Sequence, residues 1–268
     1  MNKVYLWEHD VPIYNNKIEQ EKPNVRLFLK DGAKSLVVIC PGGGYEMKAF
    51  QHEGYDIAEY FNSLNISAMV LDYRVTPYMY PAPQFDAKRA IRFARFYADK
   101  YGYDKDKIGI MGFSAGGHLA ACLGTIWDDF EYDIKDEIDK ESGRPDFMIL
   151  CYPVISFVNN AHLNSRFILI GHEQNRFAES LSLETRVTKD TPPTFIWHTA
   201  DDEGVPVENS LNLAVSLSKC QVPYEMHIYK SGEHGIGLAN GINCELNKDV
   251  SRWSEDLEVW LKDMKYTN

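Results

Sequence analysis

The chain has 268 residues, of which 44% are hydrophobic and 25% are charged. This composition is typical of a soluble globular domain and excludes disordered, collagen-like and coiled-coil chains. The net charge of −11 argues against a nucleic-acid partner, because phosphate binding needs a basic surface. The N-terminal sequence MNKVYLWEHD lacks the apolar core of a signal peptide, and no apolar run reaches about 18 residues. We therefore expect no membrane partner and a cytoplasmic location.

In chain order, short β-rich apolar runs alternate with helical patterns. The predicted strands are 36–40, 67–73, 108–112, 147–152, 194–198 and 224–229. The predicted helices are 51–62, 85–101, 115–126, 208–219 and 250–263. The alternation indicates βαβ units, and near-continuous apolar strands favour a parallel sheet covered on both faces.

Two segments interrupt the alternation. Residues 155–191 are long, polar and poorly periodic, and so long a loop is uncommon unless it is functional. We predict one domain over 1–268, with a lid or substrate-side excursion at 155–191. Residues 128–146 are acidic but lack the glycine and ligand spacing of a calcium loop, so we interpret them as a solvated charged face.

Neither a disulfide framework nor a bound cofactor is expected. The five cysteines are odd in number and widely spaced, and Cys40 and Cys151 lie in apolar runs. No histidine or cysteine spacing fits a zinc ligand set. We predict no metal and no cofactor, and the sequence carries no argument for or against a homo-oligomer.

The motif Gly112-Phe113-Ser114-Ala115-Gly116 lies between a predicted strand and a predicted helix. In this context G-x-S-x-G forms a sharp turn that exposes the serine hydroxyl above the sheet. The helix N-terminus that follows favours negative charge developing nearby. A chance Gly/Ser-rich turn is the alternative. We predict Ser114 as a nucleophile.

A serine nucleophile needs a base and an orienting carboxylate, which follow in the order Ser, acid, His in this kind of fold. The strand 194–198 leads into Thr-Ala-Asp-Asp-Glu-Gly-Val-Pro, where Asp201 and Asp202 are both candidates. We favour Asp202, because it matches the recurrent pattern Asp-x-x-Val-Pro. Asp201 is the alternative acid, or else a solvated or loop-capping carboxylate.

His234 is the predicted base among eight histidines, since it follows the last predicted strand among glycines that let its loop reach the serine. His227 lies inside that strand and suits a packing role. His198 ends the strand before the acid and suits loop support. His118, one helical turn after Ser114, suits a supporting hydrogen bond. The others have no such context: His9, His52, His162 and His172.

The run Pro41-Gly42-Gly43-Gly44-Tyr45 follows the first predicted strand. Acyl transfer needs N–H donors directed at the developing oxyanion, and glycines allow close backbone approach. We predict Gly43, Gly44 and Ala115 as these donors, with a plain flexible turn as the alternative for the glycine run. Tyr45 is predicted to wall an acyl pocket, although a packing role is equally ordinary. The run lacks the Gly-Lys-Ser/Thr ending of a phosphate loop.

These and further motifs form one pattern across most of the chain: Pro41-Gly42-Gly43-Gly44-Tyr45, Asp72-Tyr73-Arg74, Tyr80-Pro81-Ala82-Pro83 with Asp86, Gly112-Phe113-Ser114-Ala115-Gly116-Gly117-His118, Thr199-Ala200-Asp201-Asp202 with Val205-Pro206-Val207-Glu208-Asn209-Ser210, and Gly232-Glu233-His234-Gly235. The pattern resembles the α/β-hydrolase superfamily. Within it, the chain is similar to the esterase/lipase branch related to hormone-sensitive lipase and to bacterial acetyl-xylan and feruloyl carbohydrate esterases. It departs from the lipase-like branch at Pro41, where that branch usually has His.

The resemblance implies an α/β-hydrolase fold and a Ser-His-Asp acyl-enzyme mechanism. It also implies that Tyr73 and Arg74 brace the fold around Asp86. The substrate it implies is a small acyl ester, acetyl above all, on a sugar or xylo-oligosaccharide. A generic short-chain carboxylesterase and an amide-cleaving peptidase or formamidase-like enzyme are the alternatives. A non-catalytic binding protein is least favoured, because all three triad residue types are present.

Overall fold

The computed structural model describes residues 2–133 and 135–267. Its centre is one eight-stranded sheet of order β1-β2-β4-β3-β5-β6-β7-β8, in which β2 pairs antiparallel with both β1 and β4 and the other pairs are parallel. The strands are β1 (Asn2–Tyr5), β2 (Asn24–Phe28), β3 (Leu36–Cys40), β4 (Ser67–Asp72), β5 (Ile108–Phe113), β6 (Phe147–Cys151), β7 (Thr194–Thr199) and β8 (Tyr224–Tyr229). Every predicted strand is confirmed to within one residue, whereas β1 and β2 were not predicted.

The helices cover both faces of this sheet. They are α1 (Asp56–Ser63), α2 (Ala82–Phe96), α3 (Ala98–Tyr101), α4 (Ser114–Thr125), α5 (Leu163–Ile170), α6 (Gln174–Phe177), α7 (Glu208–Lys219) and α8 (Trp253–Asp263). Alternate residues of β3 enter opposite cores: Val38 belongs to the core that also contains residues of α2, α4 and α7, and Val37 to the core that contains residues of α1 and α8. The two-sided burial explains the unbroken apolar runs of the central strands.

The prediction that residues 128–146 form a solvated charged face is wrong at Asp139, which is only 2% exposed. The reason lies in α2, whose cationic side chains are also buried and need partners. The Arg89 guanidinium donates to Asp139 Oδ1 over 2.7 Å and also bonds Asp136, while Lys88 pairs with Glu131. The acidic segment therefore neutralises the charged side of α2.

The resemblance-based pairing of Arg74 with Asp86 is confirmed. Both side chains are fully buried, and the guanidinium donates to the carboxylate from Nη2 over 2.7 Å and from Nε over 2.9 Å. Tyr73 donates its hydroxyl proton to the Pro41 carbonyl over 2.6 Å. The ion pair ties the loop after β4 to α2, and the Tyr73 bond ties the same loop to the loop after β3.

All five cysteines carry free thiols. Among the described residues, no helix is long and apolar enough to cross a membrane. Nor do residues 2–133 and 135–267 contain a cluster of three metal-ligating side chains.

Candidate active site

Ser114 stands on the sharp turn between β5 and α4, with its backbone φ at +53° in the left-handed region. The turn is so tight that the backbone at Gly112 lies directly against the backbone at Gly116. A Cβ on Gly112 would lie 2.0 Å from the Gly116 carbonyl oxygen, so only glycine fits there. The strained turn leaves Ser114 7% exposed at the carboxyl edge of the sheet.

The structure brings the predicted nucleophile, base and acid into one hydrogen-bonded chain. His234 Nε2 lies 2.7 Å from Ser114 Oγ, and His234 Nδ1 lies 2.8 Å from Asp202 Oδ2. Because a carboxylate only accepts, Nδ1 carries the imidazole proton and Nε2 is free to accept from the serine hydroxyl. The tautomer is therefore the one that a general base requires.

Asp202 is held by contacts on both of its oxygens. Oδ1 accepts the N–H groups of Gly204 and Val205, each over 2.8 Å. Burial acts to raise the pKa of Asp202, but hydrogen bonds from His198 and His234 outweigh it and set this pKa well below its usual range. The acid is therefore ionised at neutral pH.

Asp201 has a different position. Its exposed carboxylate accepts from the Ser231 hydroxyl over 2.6 Å and from the Gly232 N–H over 3.0 Å. Asp201 thus ties the loop of the acid to the loop of the base without reaching the imidazole. Of the two candidates, only Asp202 contacts His234.

The glycine loop after β3 lies directly against the serine. A Cβ on Gly42 would come within 3.0 Å of Ser114 Cβ. Gly43 and Gly44 follow with φ of +126° and +67°. Within the described part of the chain, no acceptor occupies the N–H groups of Gly43, Gly44 or Ala115. These three N–H groups are therefore available as donors, and their role at an oxyanion stays a prediction.

Tyr45 does not have the position that the sequence suggested, because its side chain is only 1% exposed and turns into the core. Its φ of +63° directs the side chain inward, and its hydroxyl lies 2.9 Å from His118 Nδ1. The Leu181 carbonyl lies 2.9 Å from His118 Nε2, so Nε2 carries the proton and Nδ1 accepts from Tyr45. Tyr45 is a packing residue that supports the glycine loop through His118.

The segment 155–191 lies on the same side of the sheet as the site. It carries α5 and α6 and is anchored by buried side chains such as Phe157 and Leu181. Asn164 and Ser165, at the start of α5, approach Gly44. Their closest atoms lie 3.6 and 3.9 Å from the place of a Cβ on that glycine. The start of α5 therefore lies beside the glycine loop, and a role of 155–191 as a lid or substrate-side excursion stays a prediction.

Sequence reasoning missed two residues that border the site. Glu53 is buried in a π-helical turn before α1, and Tyr152 follows β6 with its ring 5.0 Å from the His234 ring, measured between centroids. Tyr152 follows the carboxyl end of a predicted parallel strand, a signal that could have found it. Glu53 carries no such signal.

A cavity of about 540 Å³ opens beside His234. Four carboxylate side chains belong to its lining: Asp201, Glu203, Glu233 and Glu245. A wall of this charge disfavours anionic groups and accepts neutral, hydroxyl-rich ones. The cavity shares His234 with the site, but neither Ser114 nor the glycine loop belongs to its lining.

Comparison with known proteins gives a xylanase and an acetylxylan esterase among the relatives. Endo-1,4-beta-xylanase B of Butyrivibrio fibrisolvens is 39% identical over 81% of this chain, and an acetylxylan esterase of Xylanibacter ruminicola is 30% identical over 92% of it. The matches cover 35% and 51% of those two proteins, so the chain spans about half or less of their length.

A solved structure is similar along the whole chain. The crystal structure of an acetyl ester-xyloside bifunctional hydrolase from Caldicellulosiruptor lactoaceticus superposes with a TM-score of 0.93 at 41% identity, covering 100% of this chain and 97% of that one. This similarity and the sheet order confirm the predicted α/β-hydrolase fold. The BD-FAE family model matches residues 28–217. The chain therefore belongs to the BD-FAE family and has the α/β-hydrolase fold.

Proposed function

We propose that the chain is a serine esterase that removes small acyl groups, acetyl above all, from sugar or xylo-oligosaccharide hydroxyls. The observation that carries the proposal is the hydrogen-bonded chain from Ser114 through His234 to Asp202, with contacts of 2.7 and 2.8 Å. Relatives named acetylxylan esterase and acetyl ester-xyloside hydrolase support the substrate class.

In the first step, Ser114 Oγ attacks the ester carbonyl carbon while its proton moves to His234 Nε2. The carbonyl π electrons pass to the oxygen, which becomes the oxyanion of a tetrahedral intermediate. The Asp202 carboxylate stabilises the imidazolium that forms and holds its orientation. The N–H groups of Gly43, Gly44 and Ala115 donate to the oxyanion.

The intermediate collapses by breaking the bond between the carbonyl carbon and the sugar oxygen. His234 returns its proton to that oxygen, so the sugar leaves as a neutral alcohol and the acyl group stays on Ser114. Water then repeats the sequence with His234 as base, which releases acetate and the free serine.

Acetate release from acetylated xylo-oligosaccharides, measured beside p-nitrophenyl acetate, butyrate and octanoate, tests the proposal. We expect turnover of the acetyl sugars well above that of the synthetic esters. Ser114→Ala should lose all of these activities, whereas Ser63→Ala, at an exposed serine of α1, should keep them.

Other results would lead to the alternatives. Good p-nitrophenyl turnover with inert sugars would indicate a generic short-chain carboxylesterase. Amine release from acyl amides with poor ester cleavage would indicate the peptidase or formamidase-like alternative. Failure of a fluorophosphonate probe to label Ser114 would favour a non-catalytic binding protein.

A further inference from the structure

Glu53 is a carboxylate that the mechanism above does not use, although it lies buried beside the reacting groups. It is 2% exposed and belongs to the π-helical turn Gln51–Tyr55, which continues directly into α1. A buried ionisable side chain is expensive unless its polar atoms are satisfied. The partners that satisfy Glu53 therefore indicate what its burial achieves.

Both oxygens of Glu53 accept hydrogen bonds from the loops that form the site. Oε2 accepts the Gly42 N–H over 2.8 Å, and Oε1 accepts the Tyr152 hydroxyl proton over 2.7 Å. The Tyr152 oxygen in turn accepts the Gly237 N–H over 3.0 Å. One continuous chain of hydrogen bonds thus joins the glycine loop after β3 to the loop that carries His234.

Two members of this chain, Gly42 and Tyr152, lie against reacting residues. The place of a Cβ on Gly42 is 3.0 Å from Ser114 Cβ, and Gly42 is the residue before the predicted oxyanion donors. The Tyr152 ring packs edge-on against the His234 imidazole at an interplanar angle of 65°. The φ of Tyr152 is +36°, a conformation that a non-glycine residue keeps only when its surroundings fix it.

We propose that Glu53 is a positioning residue that fixes the oxyanion loop and the imidazole relative to each other, acting through Gly42 on one side and through Tyr152 and Gly237 on the other. This inference rests on the proposed function. The oxyanion donors and the base act on different oxygens of the same tetrahedral carbon, so their separation has to be held to a fraction of an ångström. Two independent loops can achieve this only through a shared support.

Glu53→Gln and Tyr152→Phe test the proposal with almost no change in side-chain volume. The glutamine amide cannot accept from both Gly42 and Tyr152, and the phenylalanine ring removes the link to Gly237. Because hydrogen bonds to charged groups contribute about 1.5–3 kcal/mol, we expect kcat to fall about 10-fold to 100-fold in each variant. KM for p-nitrophenyl acetate should stay within about 3-fold, since ground-state binding is not altered.

Two further readouts separate positioning from general stability. The affinity for phenylboronic acid, which bonds the serine and mimics the tetrahedral intermediate, should fall in parallel with kcat/KM. The double variant should lose no more than about the larger single loss, because both residues act in one chain. Matched controls are Asp139→Asn, a buried carboxylate on Arg89, and Tyr103→Phe, a buried tyrosine bonded to the Ala94 carbonyl. Both should lose stability while the folded protein keeps its kcat.

Wild-type kcat and wild-type boronate affinity in folded Glu53→Gln and Tyr152→Phe would overturn the proposal. If Glu53→Gln does not fold, Tyr152→Phe alone decides in the same way. Failure of the proposed function is distinguishable, because it would appear as hydrolysis that survives in Ser114→Ala. If Ser114→Ala is inactive but Glu53→Gln and Tyr152→Phe are both fully active, the positioning proposal is wrong while the proposed function stands.

Discussion

Asp202 contacts a second histidine besides His234. His198 Nε2 lies 3.3 Å from Asp202 Oδ2, the same oxygen that faces His234. His198 Nε2 also lies 3.0 Å from the Val205 carbonyl, which requires its proton there. His198 is fully buried. It therefore directs an N–H toward the carboxylate and helps to keep Asp202 ionised and in place.

Asp202→Asn should reduce kcat about 10⁴-fold, because the amide favours the wrong tautomer of the imidazole. Asp201→Asn is the matched neighbour and should reduce it less than about 10-fold, since Asp201 loses only loop hydrogen bonds. Steady-state hydrolysis of p-nitrophenyl acetate measures both. The reverse order of the two losses would make Asp201 the acid.

Gly43→Ala should lower kcat about 10²-fold to 10³-fold, which is typical for loss of an oxyanion donor. Its Cβ would lie 2.3 Å from the Met47 carbonyl oxygen, so the loop has to shift away from Ser114. Gly32→Ala is the control, because Gly32 has a similar positive φ of +77° but no atom within 4 Å of the added Cβ. It should cost about 1 kcal/mol of stability and leave kcat unchanged. Equal kcat in the two variants would contradict a role for the Gly43 N–H.

His118 should make the protein less stable as the pH falls. Burial lowers the pKa of His118 to about 4, so the unfolded chain binds this proton more readily than the folded one. The stability that comes from burying the neutral His118 is fully present above the pKa of histidine in the unfolded chain, about 6.5. It is lost as the pH falls toward 4. The titration of His118 should therefore lower the free energy of unfolding by about 2–3 kcal/mol between pH 7 and pH 4.5.

Urea unfolding of the wild type and of His118→Gln at about pH 7 and about pH 4.5 isolates the effect of His118. The raised pKa values of Glu53 and Asp86 increase the free energy of unfolding as the pH falls, but they do so equally in both proteins. We expect the free energy of unfolding to drop more in the wild type. An equal drop in the two proteins would show that His118 titrates normally.

Asp139→Asn should lower the free energy of unfolding by about 3 kcal/mol, because it leaves part of the buried Arg89 charge without its partner. Glu137→Gln, on the same short 3₁₀ helix, removes an exposed ion pair to Lys140 and should cost less than about 1 kcal/mol. Chemical denaturation compares them. Similar small losses would mean that the acidic segment is solvated after all.

The central strands and the residues Ser114, Asp202 and His234 could be predicted from the sequence because both follow from the parallel sheet. Ser114, Asp202 and His234 each follow the carboxyl end of a parallel strand, and such ends converge on one edge of the sheet. The strands themselves are buried on both faces and therefore read as continuous apolar runs. β1 was missed because it is a short, largely exposed edge strand, and β2 because it is short and only partly buried, so that neither carries a continuous apolar run.

The remaining misses depend on tertiary contacts. Asp139 is buried only because α2 presents its arginines inward, and Tyr45 turns inward only because the glycine loop gives it a positive φ. Glu53 lies in the predicted helix 51–62, and nothing in that pattern marks it as buried. Its burial follows from the glycine loop folding over it, which local periodicity does not contain.

The most direct test of the account is rapid-quench peptide mass spectrometry after mixing the protein with p-nitrophenyl acetate. The account predicts the mass of one acetyl group on the peptide that contains Ser114, in a burst that precedes steady-state turnover. Ser114→Ala should show neither the adduct nor the burst. An acetyl adduct on another residue, or full turnover in Ser114→Ala, would contradict the central claim.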